Sequence, residues 1–328
     1  MGFPCPSATL ADSLAEEGAD ILVSIVIVNW NAGAQLRECV VSVIRHGSPL
    51  VEQIIVVDNG STDGSESTVE DLPGVTLLRA GTNLGFGKAC NLGAAHANSE
   101  YLLFLNPDAR LFADTLPKAI DFMQATANAK VGICGVQLVD ENGQVARSCA
   151  RFPSLQSLAA YALGVDRILP VHGLFMNEWD HATTRQVDHV IGAFFLIRKN
   201  VFDALEGFDE AFFVYLEDLD VSYRAKQLGW NSVYLAEAQA FHAGGGTSNQ
   251  VKARRLFYSL RSRILYAFKH FNGPSATVVL VVTLFLEPVP RSALAVGRRS
   301  WTSLRETWAA YGMLFRWLPA WIFHGTTR

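Results

Sequence analysis

Residues 21–31 read ILVSIVIVNWN, a continuous run of β-branched and aliphatic side chains with a polar end. A run of this length and composition is typical of a strand that is buried on both faces of a parallel sheet. Apolar residues then recur at helical spacing from Gln35 to Ile44, and QIIVVDNGSTDG at 53–64 is again apolar with a polar, glycine-bearing end. The order strand, helix, strand predicts an α/β fold with a Rossmann-like, mostly parallel central sheet flanked by helices.

The pattern continues along the chain. VTLLRA (75–80) and YLLFLNPD (101–108) predict strands on either side of a helix from about Gly87 to His96, and VGICGVQLV (131–139) and HVIGAFFLIRK (189–199) predict two more strands. Polar clusters VNWN, DNGSTDG and LNPD follow three of the strands. Ligands of open parallel sheets bind outside the carboxyl ends of the strands. We therefore expect these three clusters to meet in one crevice.

The length and composition of the chain limit how many domains it can form. The chain has 328 residues, half of them apolar, which predicts a main domain with an appendage. Residues 1–20 are interpreted as a flexible leader; they lack the basic region of a secretory signal, since Arg37 is the first Lys or Arg. The five cysteines are far apart and form no CxxC pair, so we interpret them as reduced thiols in the cytosol.

The charge is divided unevenly. Residues 251–328 contain 12 Lys or Arg against only Glu287 and Glu306, and the first 250 residues carry a net charge of -14. A basic, tryptophan-bearing tail on an acidic body indicates an anionic partner, either a membrane or a nucleic acid. Nucleic-acid arms are richer in Lys and polar residues, so the Trp and Leu content of the tail favours lipid.

Two apolar patterns occur within this tail. The run SATVVLVVTLFL at 275–286 would span only about 18 Å as a helix, against about 30 Å of hydrocarbon, so a simple membrane crossing is not expected. Farther on, apolar side chains at helical spacing and four arginines predict an amphipathic helix on a membrane surface. The alternative is a helical hairpin packed on protein. The side chains concerned are Trp301, Leu304, Trp308, Tyr311, Phe315 and Leu318, with Arg298, Arg299, Arg305 and Arg316.

Side chains at the first two strand ends suit a nucleobase. Asp58 directly follows an apolar run and can accept a hydrogen bond from a ring N–H, while Asn29 and Asn31 can offer matching amides. This arrangement suits a pyrimidine. The alternative is that Asp58 caps a helix that starts near Ser61 and that the two Asn residues are turn formers.

Two further segments suit a phosphate and a hard cation. In NLGFGKACN (83–91), Lys88 and free backbone N–H groups at a helix start can face phosphate. Asp108 follows the next apolar strand, and His242 precedes three glycines that allow close backbone approach. An oxygen ligand with one imidazole suits Mg²⁺ or Mn²⁺, whose remaining positions are filled by phosphates and water. The alternative is a histidine that is only hydrogen-bonded.

A group of acids lies in an apolar setting. Residues 212–224, FFVYLEDLDVSYR, place Glu217, Asp218 and Asp220 among aromatic and aliphatic side chains. Carboxylates in such surroundings are usually paired, bound to a cation or used in chemistry. The alternative is a solvated helix face with a structural role.

Together these segments resemble the family 2 inverting glycosyltransferases of GT-A fold, in particular the bacterial rhamnosyltransferase-like branch. The resemblance covers about residues 22–250, and the ordered set is more specific than any one motif. The motifs are VNWN (28–31), VDNGSTDG (57–64), NLGFGKACN (83–91), LNPD (105–108), GAFFLIR (192–198), GFDEAFFVYLEDLDVSYR (207–224) and HAGGGT (242–247).

The resemblance implies where a nucleoside-diphosphate sugar lies. In such enzymes the donor crosses the strand ends, with Asp58 holding the base. Residues 21–110 would then form the nucleotide-sugar-binding half, 111–250 the acceptor-binding and catalytic half, and 251–328 a basic amphipathic tail. The implied nucleotide-binding set also contains Val28, Asn29, Asn31, Asn59, Asn83, Gly85, Lys88 and Asn106.

The resemblance also implies a divalent cation, Mg²⁺ or Mn²⁺, between the two phosphates. Asp108 corresponds to the final Asp of the metal-binding DxD, and His242 to the second protein ligand. The chain departs from the pattern at Asn106, which stands in place of the first Asp. Thr247 stands where Ser is usual and keeps a hydroxyl near phosphate.

By the same resemblance, Asp218 is the general base that takes the proton from the acceptor hydroxyl, and the configuration at the anomeric carbon inverts. Glu217 or Asp220 would position Asp218 or the acceptor. Arg224 or a backbone N–H at the helix start would keep Asp218 ionised.

The implied setting is cell-surface polysaccharide assembly on the cytoplasmic side of the inner membrane, with the chain as a peripheral protein. The branch favours dTDP-L-rhamnose as donor and a lipid-linked saccharide as acceptor. A UDP-sugar donor and a non-catalytic nucleotide-binding scaffold are the alternatives. No nucleic-acid partner is expected, and a homo-oligomer is possible.

Overall fold

The computed structural model describes residues 23–47, 49–165, 173–244 and 252–327. The predicted leader at 1–20 and Thr247 lie outside these residues. Cys39, Cys90, Cys134 and Cys149 are buried free thiols, as predicted.

Within the described residues the chain forms one large mixed sheet, a two-stranded ribbon, and helices on both faces of the sheet. The strands are β1 (Val23–Asn29), β2 (Val51–Asp58), β3 (Val75–Arg79), β4 (Tyr101–Leu105), β5 (Ala109–Leu111), β6 (Val131–Val139), β7 (Cys149–Ala150), β8 (Arg185–Val187), β9 (His189–Val190), β10 (Phe194–Arg198) and β11 (Asn231–His242). The α-helices are α1 (Ala34–Gly47), α2 (Phe86–Ala94), α3 (Thr115–Gln124), α4 (Leu155–Leu163), α5 (Lys199–Ala204), α6 (Glu217–Gln227), α7 (Lys252–His270), α8 (Gly273–Val281), α9 (Pro288–Gly297) and α10 (Trp301–His324).

The sheet follows the order β3-β2-β1-β4-β10-β6-β11-β5, with β8 pairing β11 at the side. The first four strands are mutually parallel, and β6 and β11 are parallel to each other. One expectation is corrected: the apolar run at 189–199 is two strands, and β10 inserts antiparallel between β4 and β6. The run breaks at Gly192 because its N–H bonds to the Asp218 side chain and not to a neighbouring strand.

The register brings the three polar strand ends together. Asn29 pairs with Asp58 across β1 and β2, and Ile27 pairs with Leu105 across β1 and β4. All three strands run in the same direction, so their carboxyl ends form one edge. The prediction that VNWN, DNGSTDG and LNPD share a crevice is confirmed at the level of the backbone.

Alternate side chains of the central strands form two cores. One face of β1, with Ile25 and Ile27, packs on α1 and α3. The other face, with Val26 and Val28, packs on α2, α5 and α6. Burial on both faces explains why the strand reads as a continuous apolar run in the sequence. It also holds α6, which carries the acid group, against the sheet.

The C-terminal helices pack on the α/β unit. Leu260 and Ile264 of α7 form a buried cluster with Phe212 and Leu219, next to and within α6, and with the middle of α10. The expectation that the apolar run at 275–286 forms a helix of only 12 residues, too short to cross a membrane, is wrong. The helix continues from α8 through a π-helical turn into α9. Among the described residues, Gly273–Gly297 alone is long and apolar enough to cross a membrane, by length and composition only, and 39% of its most apolar window is buried.

The predicted amphipathic stripe of α10 is divided between two environments. Tyr311 is fully buried against α7, while Trp301, Trp308 and Phe315 are exposed. Arg298, Arg299, Arg305 and Arg316 are also exposed. One side of α10 therefore follows the packed-hairpin alternative, and the other side remains an aromatic and arginine-bearing surface.

Candidate active site

A cavity of about 490 Å³ opens at the carboxyl ends of β1, β2 and β4. Its walls come from the loops that follow these strands, from the segment before α6, and from the start of α7. Cavities of this size are typical of sites for small molecules and cofactors. The predicted residues that line it are Val28, Asn59, Asn83, Gly85, Asn106, Asp108 and His242.

Asn29 is buried behind Asp58 and does not line the cavity. Its Nδ2 donates to Asp58 Oδ1 at 3.0 Å and to Ser65 Oγ at 2.9 Å. The prediction that Asn29 contacts the nucleoside is corrected: its amide supports Asp58 from behind. Asp58 is itself almost fully buried, and its Oδ2 accepts the Ser61 N–H at 3.3 Å, which is the turn-capping alternative.

Asn31 joins the loops after β1 and β2. It has a positive φ of 53°, and its Oδ1 accepts the Thr62 N–H at 2.7 Å. Asp63 reaches back to accept the Gly33 N–H at 2.9 Å. Desolvation would raise the pKa of Asp63, but hydrogen bonds from Ser65 and Gly33 outweigh it and lower the pKa. The ionised carboxylate of Asp63 therefore holds the loop after β2 to the loop after β1.

The amides of Asn59 and Asn83 shape the next wall of the cavity. Asn59 Nδ2 donates to Asn83 Oδ1 at 3.1 Å, and its Oδ1 accepts the Leu84 N–H at 2.7 Å. Gly85 has φ of 83°, and an added Cβ would lie 2.4 Å from the carbonyl oxygen of Phe213. Only glycine allows this approach between the entry to α2 and the segment before α6.

Lys88 does not face the cavity, which corrects its predicted contact with phosphate. Its ammonium group pairs with Glu210 Oε2 at 3.0 Å, on the side of α2 that faces the 207–212 segment. The cavity is instead lined by Arg254 and Arg255 of α7, both exposed. The sequence placed Arg254 and Arg255 only in the basic tail at 251–328, because nothing local relates them to a strand end.

Asp108 and His242 form a pair in the cavity wall. Oδ1 of Asp108 and Nε2 of His242 are 3.3 Å apart, and their side chains are 11% and 14% exposed. The antiparallel pairing of Ala109 with His242 sets this distance, and the Ala243 N–H donates to the carbonyl oxygen of Asp108 at 3.1 Å. The expected convergence of these two residues is therefore present.

The pair fits the geometry of a divalent cation. Two neighbouring ligands of an octahedral cation, with bonds of about 2.1 Å, lie about 3.0 Å apart. The 3.3 Å separation is close to this value. Within the described part of the chain no group of three His, Cys, Asp or Glu side chains could hold a metal ion. A cation held here would need further ligands from phosphate and water.

Asp218 lies at the start of α6 and is 19% exposed. Its Oδ2 accepts the Gly192 N–H at 2.8 Å, and its Oδ1 accepts the Leu219 N–H at 2.8 Å. The residue after Gly192, Ala193, accepts the N–H of Asn106 at 3.0 Å. One short loop thus joins Asp218 to the strand end that carries Asp108, although Asp218 does not line the cavity itself.

Glu217 is buried, and its Oε2 has no hydrogen-bond partner among the described residues. Burial raises the pKa of Glu217, and the neighbouring Asp218 raises it further. The two residues before it, Tyr215 and Leu216, have positive φ of 70° and 68°. Strained backbone of this kind clusters at functional sites, and Tyr215 lines the cavity.

Arg224 does not contact Asp218, so its predicted role as the partner of that residue is wrong. Its Nε donates to Asp220 Oδ2 at 2.7 Å, one helical turn away. Asp220 also receives His270 Nε2 and Lys269 Nζ, both at 2.7 Å. Burial would raise the pKa of Asp220, but these three groups outweigh it and lower the pKa. Asp218 instead accepts hydrogen bonds from the backbone N–H groups of Gly192 and Leu219, which agrees with the second predicted alternative.

Several residues of the site were missed. Trp30, Phe213, Tyr215 and Tyr258 give the cavity aromatic walls, and Phe213 stacks on Tyr258 with ring centroids 4.7 Å apart. Trp30 lies inside VNWN (28–31), and Phe213 and Tyr215 lie inside the motif at 207–224, so membership of these motifs was a usable signal. Tyr258 carried none, because it lies in the tail.

Comparison with known proteins identifies the family of the chain. The family model described as Glycosyl transferase family 2 matches residues 24–205, more than half of the chain. N-acetylglucosaminyl-diphospho-decaprenol L-rhamnosyltransferase of Mycobacterium tuberculosis (strain ATCC 25618 / H37Rv) is 27% identical over 274 residues, which are 77% of this chain and 86% of that protein. Rhamnosyltransferase WbbL of Escherichia coli (strain K12) is 25% identical over 224 residues, 65% of this chain and 81% of that protein.

Among solved structures, the mannosyltransferase PcManGT from Pyrobaculum calidifontis, in complex with GDP-Man and Mn²⁺, is similar with a TM-score of 0.53. The sequence identity is 17%, and the similarity covers 93% of this chain and 81% of that chain. A similarity at this level of identity concerns the fold alone.

Proposed function

Because the chain belongs to glycosyl transferase family 2 and is a glycosyltransferase of GT-A fold, we propose that it moves L-rhamnose from dTDP-L-rhamnose to a hydroxyl of a lipid-linked saccharide. The predictions of family, fold and enzyme class are confirmed. The sugar is proposed from relatives that are named as rhamnosyltransferases. The lipid-linked acceptor is proposed from the name of one of them, which contains N-acetylglucosaminyl-diphospho-decaprenol.

The observation that carries the proposal is the Asp108–His242 pair in the wall of a cavity at the carboxyl ends of three parallel strands. These residues are far apart in the sequence, and a pair with cation-ligand spacing beside a nucleotide-sized cavity suits a nucleoside diphosphate. Arg254 and Arg255 supply positive charge from α7. Guanidinium groups suit the oxygen atoms of a diphosphate.

Asp108 and His242 are the residues that would hold Mg²⁺ or Mn²⁺. A cation bound there supplies positive charge that stabilises the leaving diphosphate. The side chains of Asn59, Asn83 and Asn106 line the cavity and remain for the nucleoside and sugar. The amide groups of Asn59 and Asn83 are already aligned by hydrogen bonds to each other and to the backbone.

Asp218 is the proposed general base. The O–H bond of the acceptor breaks, its proton passes to the carboxylate, and its electron pair forms the new bond to the anomeric carbon. The bond from that carbon to the diphosphate oxygen breaks on the opposite side, so the configuration inverts. The backbone N–H groups of Gly192 and Leu219 hold the carboxylate in place before the acceptor arrives.

The exposed surface of α10 and its flanks is the proposed membrane contact. Trp301, Trp308 and Phe315 stand out from the protein beside four exposed arginines. Aromatic and arginine side chains together suit the headgroup region of an anionic bilayer. A peripheral position on the cytoplasmic face of the membrane would bring the crevice to a lipid-linked acceptor.

A transfer assay tests the proposal. The full chain is incubated with Mn²⁺ or Mg²⁺, a synthetic polyprenyl-diphosphate N-acetylglucosamine, and in turn dTDP-L-rhamnose, UDP-sugars and GDP-mannose. We expect product from dTDP-L-rhamnose, loss of at least about a hundredfold in rate for Asp218→Asn, and an unchanged thermal shift of that variant with donor. Asp108→Asn should lose the metal-dependent part of the donor thermal shift.

The outcomes separate the alternatives. Product from a UDP-sugar alone would replace the donor while keeping the mechanism. Donor binding without any release of nucleoside diphosphate would favour a scaffold. Equal loss of donor binding and transfer in Asp218→Asn would give Asp218 a structural or metal role.

A further inference from the structure

The apolar helix Gly273–Gly297 combines α8, the π-helical turn and α9, and one of its sides is exposed. At about 1.5 Å per residue its 25 residues span about 37 Å, which exceeds the roughly 30 Å of hydrocarbon in a bilayer. Five exposed apolar side chains recur after three, four, four and seven residues, which is the spacing of one helix face. We call this set the outer face of the helix; it consists of Val278, Val281, Phe285, Val289 and Val296.

A buried ion cluster holds the other side of this helix. Glu287 is fully buried, and it lies two positions from both Phe285 and Val289, which places it opposite the outer face. Its carboxylate accepts a hydrogen bond from Arg263 Nη1 of α7 at 2.5 Å. It also accepts one from Arg291 Nη2, one helical turn farther on, at 2.6 Å. Since Arg263 is buried as well, the cluster joins the middle of the apolar helix to α7.

A membrane crossing would break this cluster. To span the hydrocarbon, the helix would have to leave α7, so Glu287 would lose Arg263 and lie near the middle of the bilayer. The separation of a buried ion pair is strongly unfavourable, and so is a carboxylate near the centre of a membrane-crossing helix. The buried contacts of Ala276 and Val279 with α4 and α7 would also be lost. A position in the plane of the membrane keeps all of these contacts and still gives the outer face an apolar environment.

The charges beside the outer face favour an anionic bilayer as its partner. The exposed arginines at the end of the helix and on α10, which packs against α9, are Arg298, Arg299, Arg305 and Arg316. Residues 251–328 carry 12 Lys or Arg against two acids. A second copy of the chain would bring the same positive charges to this surface and be repelled, whereas anionic headgroups complement them. Trp301, exposed at the start of α10, suits the headgroup region.

We propose that the apolar helix lies in the plane of an anionic membrane, with its outer face in the hydrocarbon, and that it does not cross the bilayer. The protein is then monotopic, and both ends of the helix stay on the side of the bilayer that α10 contacts. The same helix α7 carries Arg254 and Tyr258 in the cavity wall and Arg263 in the ion cluster, so it connects the membrane contact with the crevice. This position rests on the proposed membrane contact of α10 and is independent of the transfer reaction.

Flotation with vesicles tests the contact with lipid. The full chain is mixed with vesicles of phosphatidylglycerol and phosphatidylcholine, and we expect it to float with them. Phe285→Asp should weaken this binding by at least about tenfold, because a charge replaces an apolar side chain that the bilayer would bury. Phe112→Asp is the matched control: Phe112 is an exposed phenylalanine of the α/β unit, and its variant should bind like the wild type. Equal binding of the two variants, or no binding of the wild type, would overturn the proposal.

Labelling in inverted inner-membrane vesicles from a bacterial host distinguishes an in-plane helix from a crossing one. Gly273→Cys and Gly297→Cys mark the two ends of the helix, and a Cβ at either position meets no atom within 4 Å. Each is introduced into a chain with Cys5→Ser, since the other four cysteines are buried. We expect a membrane-impermeant maleimide to label both positions to the same extent without detergent. Protection of either position until detergent is added would refute the in-plane helix.

Light scattering without lipid separates a lipid contact from a contact between copies of the chain. We expect the same molar mass for the wild type and Phe285→Asp. A dimer that Phe285→Asp dissociates, together with no flotation of the wild type, would assign the outer face to a second copy and overturn the proposal. Neither flotation nor labelling requires a sugar donor. Normal results in both, without any transferase activity, would therefore count against the proposed function alone.

Discussion

Replacing the buried carboxylate of Asp220 should destabilise the whole protein, because that group joins the helix of the acid motif to the C-terminal helices. Asp220 is fully buried and accepts from Arg224, Lys269 and His270, each at 2.7 Å. In Asp220→Asn the cations Arg224 and Lys269 remain while the carboxylate that neutralises them is removed, and His270 loses the carboxylate to which it is hydrogen-bonded. Lys269 keeps a second partner, Asp209, at 2.6 Å.

The magnitude follows from the burial of the partners. Removing one member of a buried ion pair typically costs about 3–5 kcal/mol of the free energy of unfolding. Lys269 is 30% exposed and can turn to solvent or to Asp209, whereas Arg224 and His270 are mostly enclosed. We therefore expect a loss near the lower end, about 3 kcal/mol. For a chain of 328 residues that corresponds to a decrease of about 4 °C in Tm.

The assay is urea denaturation of the full chain at several pH values, with Asp71→Asn as the matched control. Asp71 pairs with Arg37 at the surface, where the two side chains are 66% and 43% exposed, so its loss should cost less than about 1 kcal/mol. The pKa of Asp220 is lowered in the folded state. Its stabilisation is then present above the unfolded pKa of about 3.9 and is lost as the pH falls through the folded pKa. A loss of less than about 1 kcal/mol in Asp220→Asn at neutral pH, equal to that of the control, would refute the reasoning.

Three further changes test the site. Arg254→Gln should raise the KM for donor about tenfold, because the Arg254 side chain lines the cavity. Lys88→Gln should change this KM by less than about twofold, because Lys88 pairs with Glu210. Equal effects of the two variants in steady-state kinetics would contradict this assignment. Glu217→Gln should equal the wild type in Tm at about pH 4 and exceed it at about pH 8, because burial raises the pKa of Glu217 and its stability contribution is lost as pH rises above the unfolded value. A constant difference in Tm would show that the charge of this carboxyl group is not the cause. Gly85→Ala should lower the free energy of unfolding by about 2 kcal/mol and abolish the donor thermal shift, since a Cβ would meet the Phe213 carbonyl oxygen at 2.4 Å; normal donor binding would exclude a close approach.

The C-terminal tail shows what a local sequence pattern predicts about structure and what it does not. Helical spacing predicted helices within 251–328, and α7 and α10 are present. The same spacing did not reveal that Tyr311 is buried while Trp308 is exposed, because one apolar stripe can face protein or lipid. The start of α7 was predicted only as part of the basic tail at 251–328, and its Arg254 lines the cavity. Local composition reports which surface is apolar or basic, but not what covers it.

The linear order of residues determined the strands, their polar ends and the acid group in the first turn of α6. Burial on both faces of a parallel sheet demands continuous apolar runs, and the chain must leave each run at its carboxyl end. These are requirements on neighbouring residues, so they can be read locally.

Only the tertiary structure decided which charges meet. Asn29 donates a hydrogen bond to Asp58, and Lys88 forms an ion pair with Glu210. Arg224 pairs with Asp220 and not with Asp218. His189 gained its place behind Asp218 because β9 lies beside α6, although the two segments are separated along the chain. Electrostatic and hydrogen-bond partners are selected by distances of a few ångströms in space. Those distances follow from the packing of whole helices and strands, and no pattern of adjacent residues encodes them.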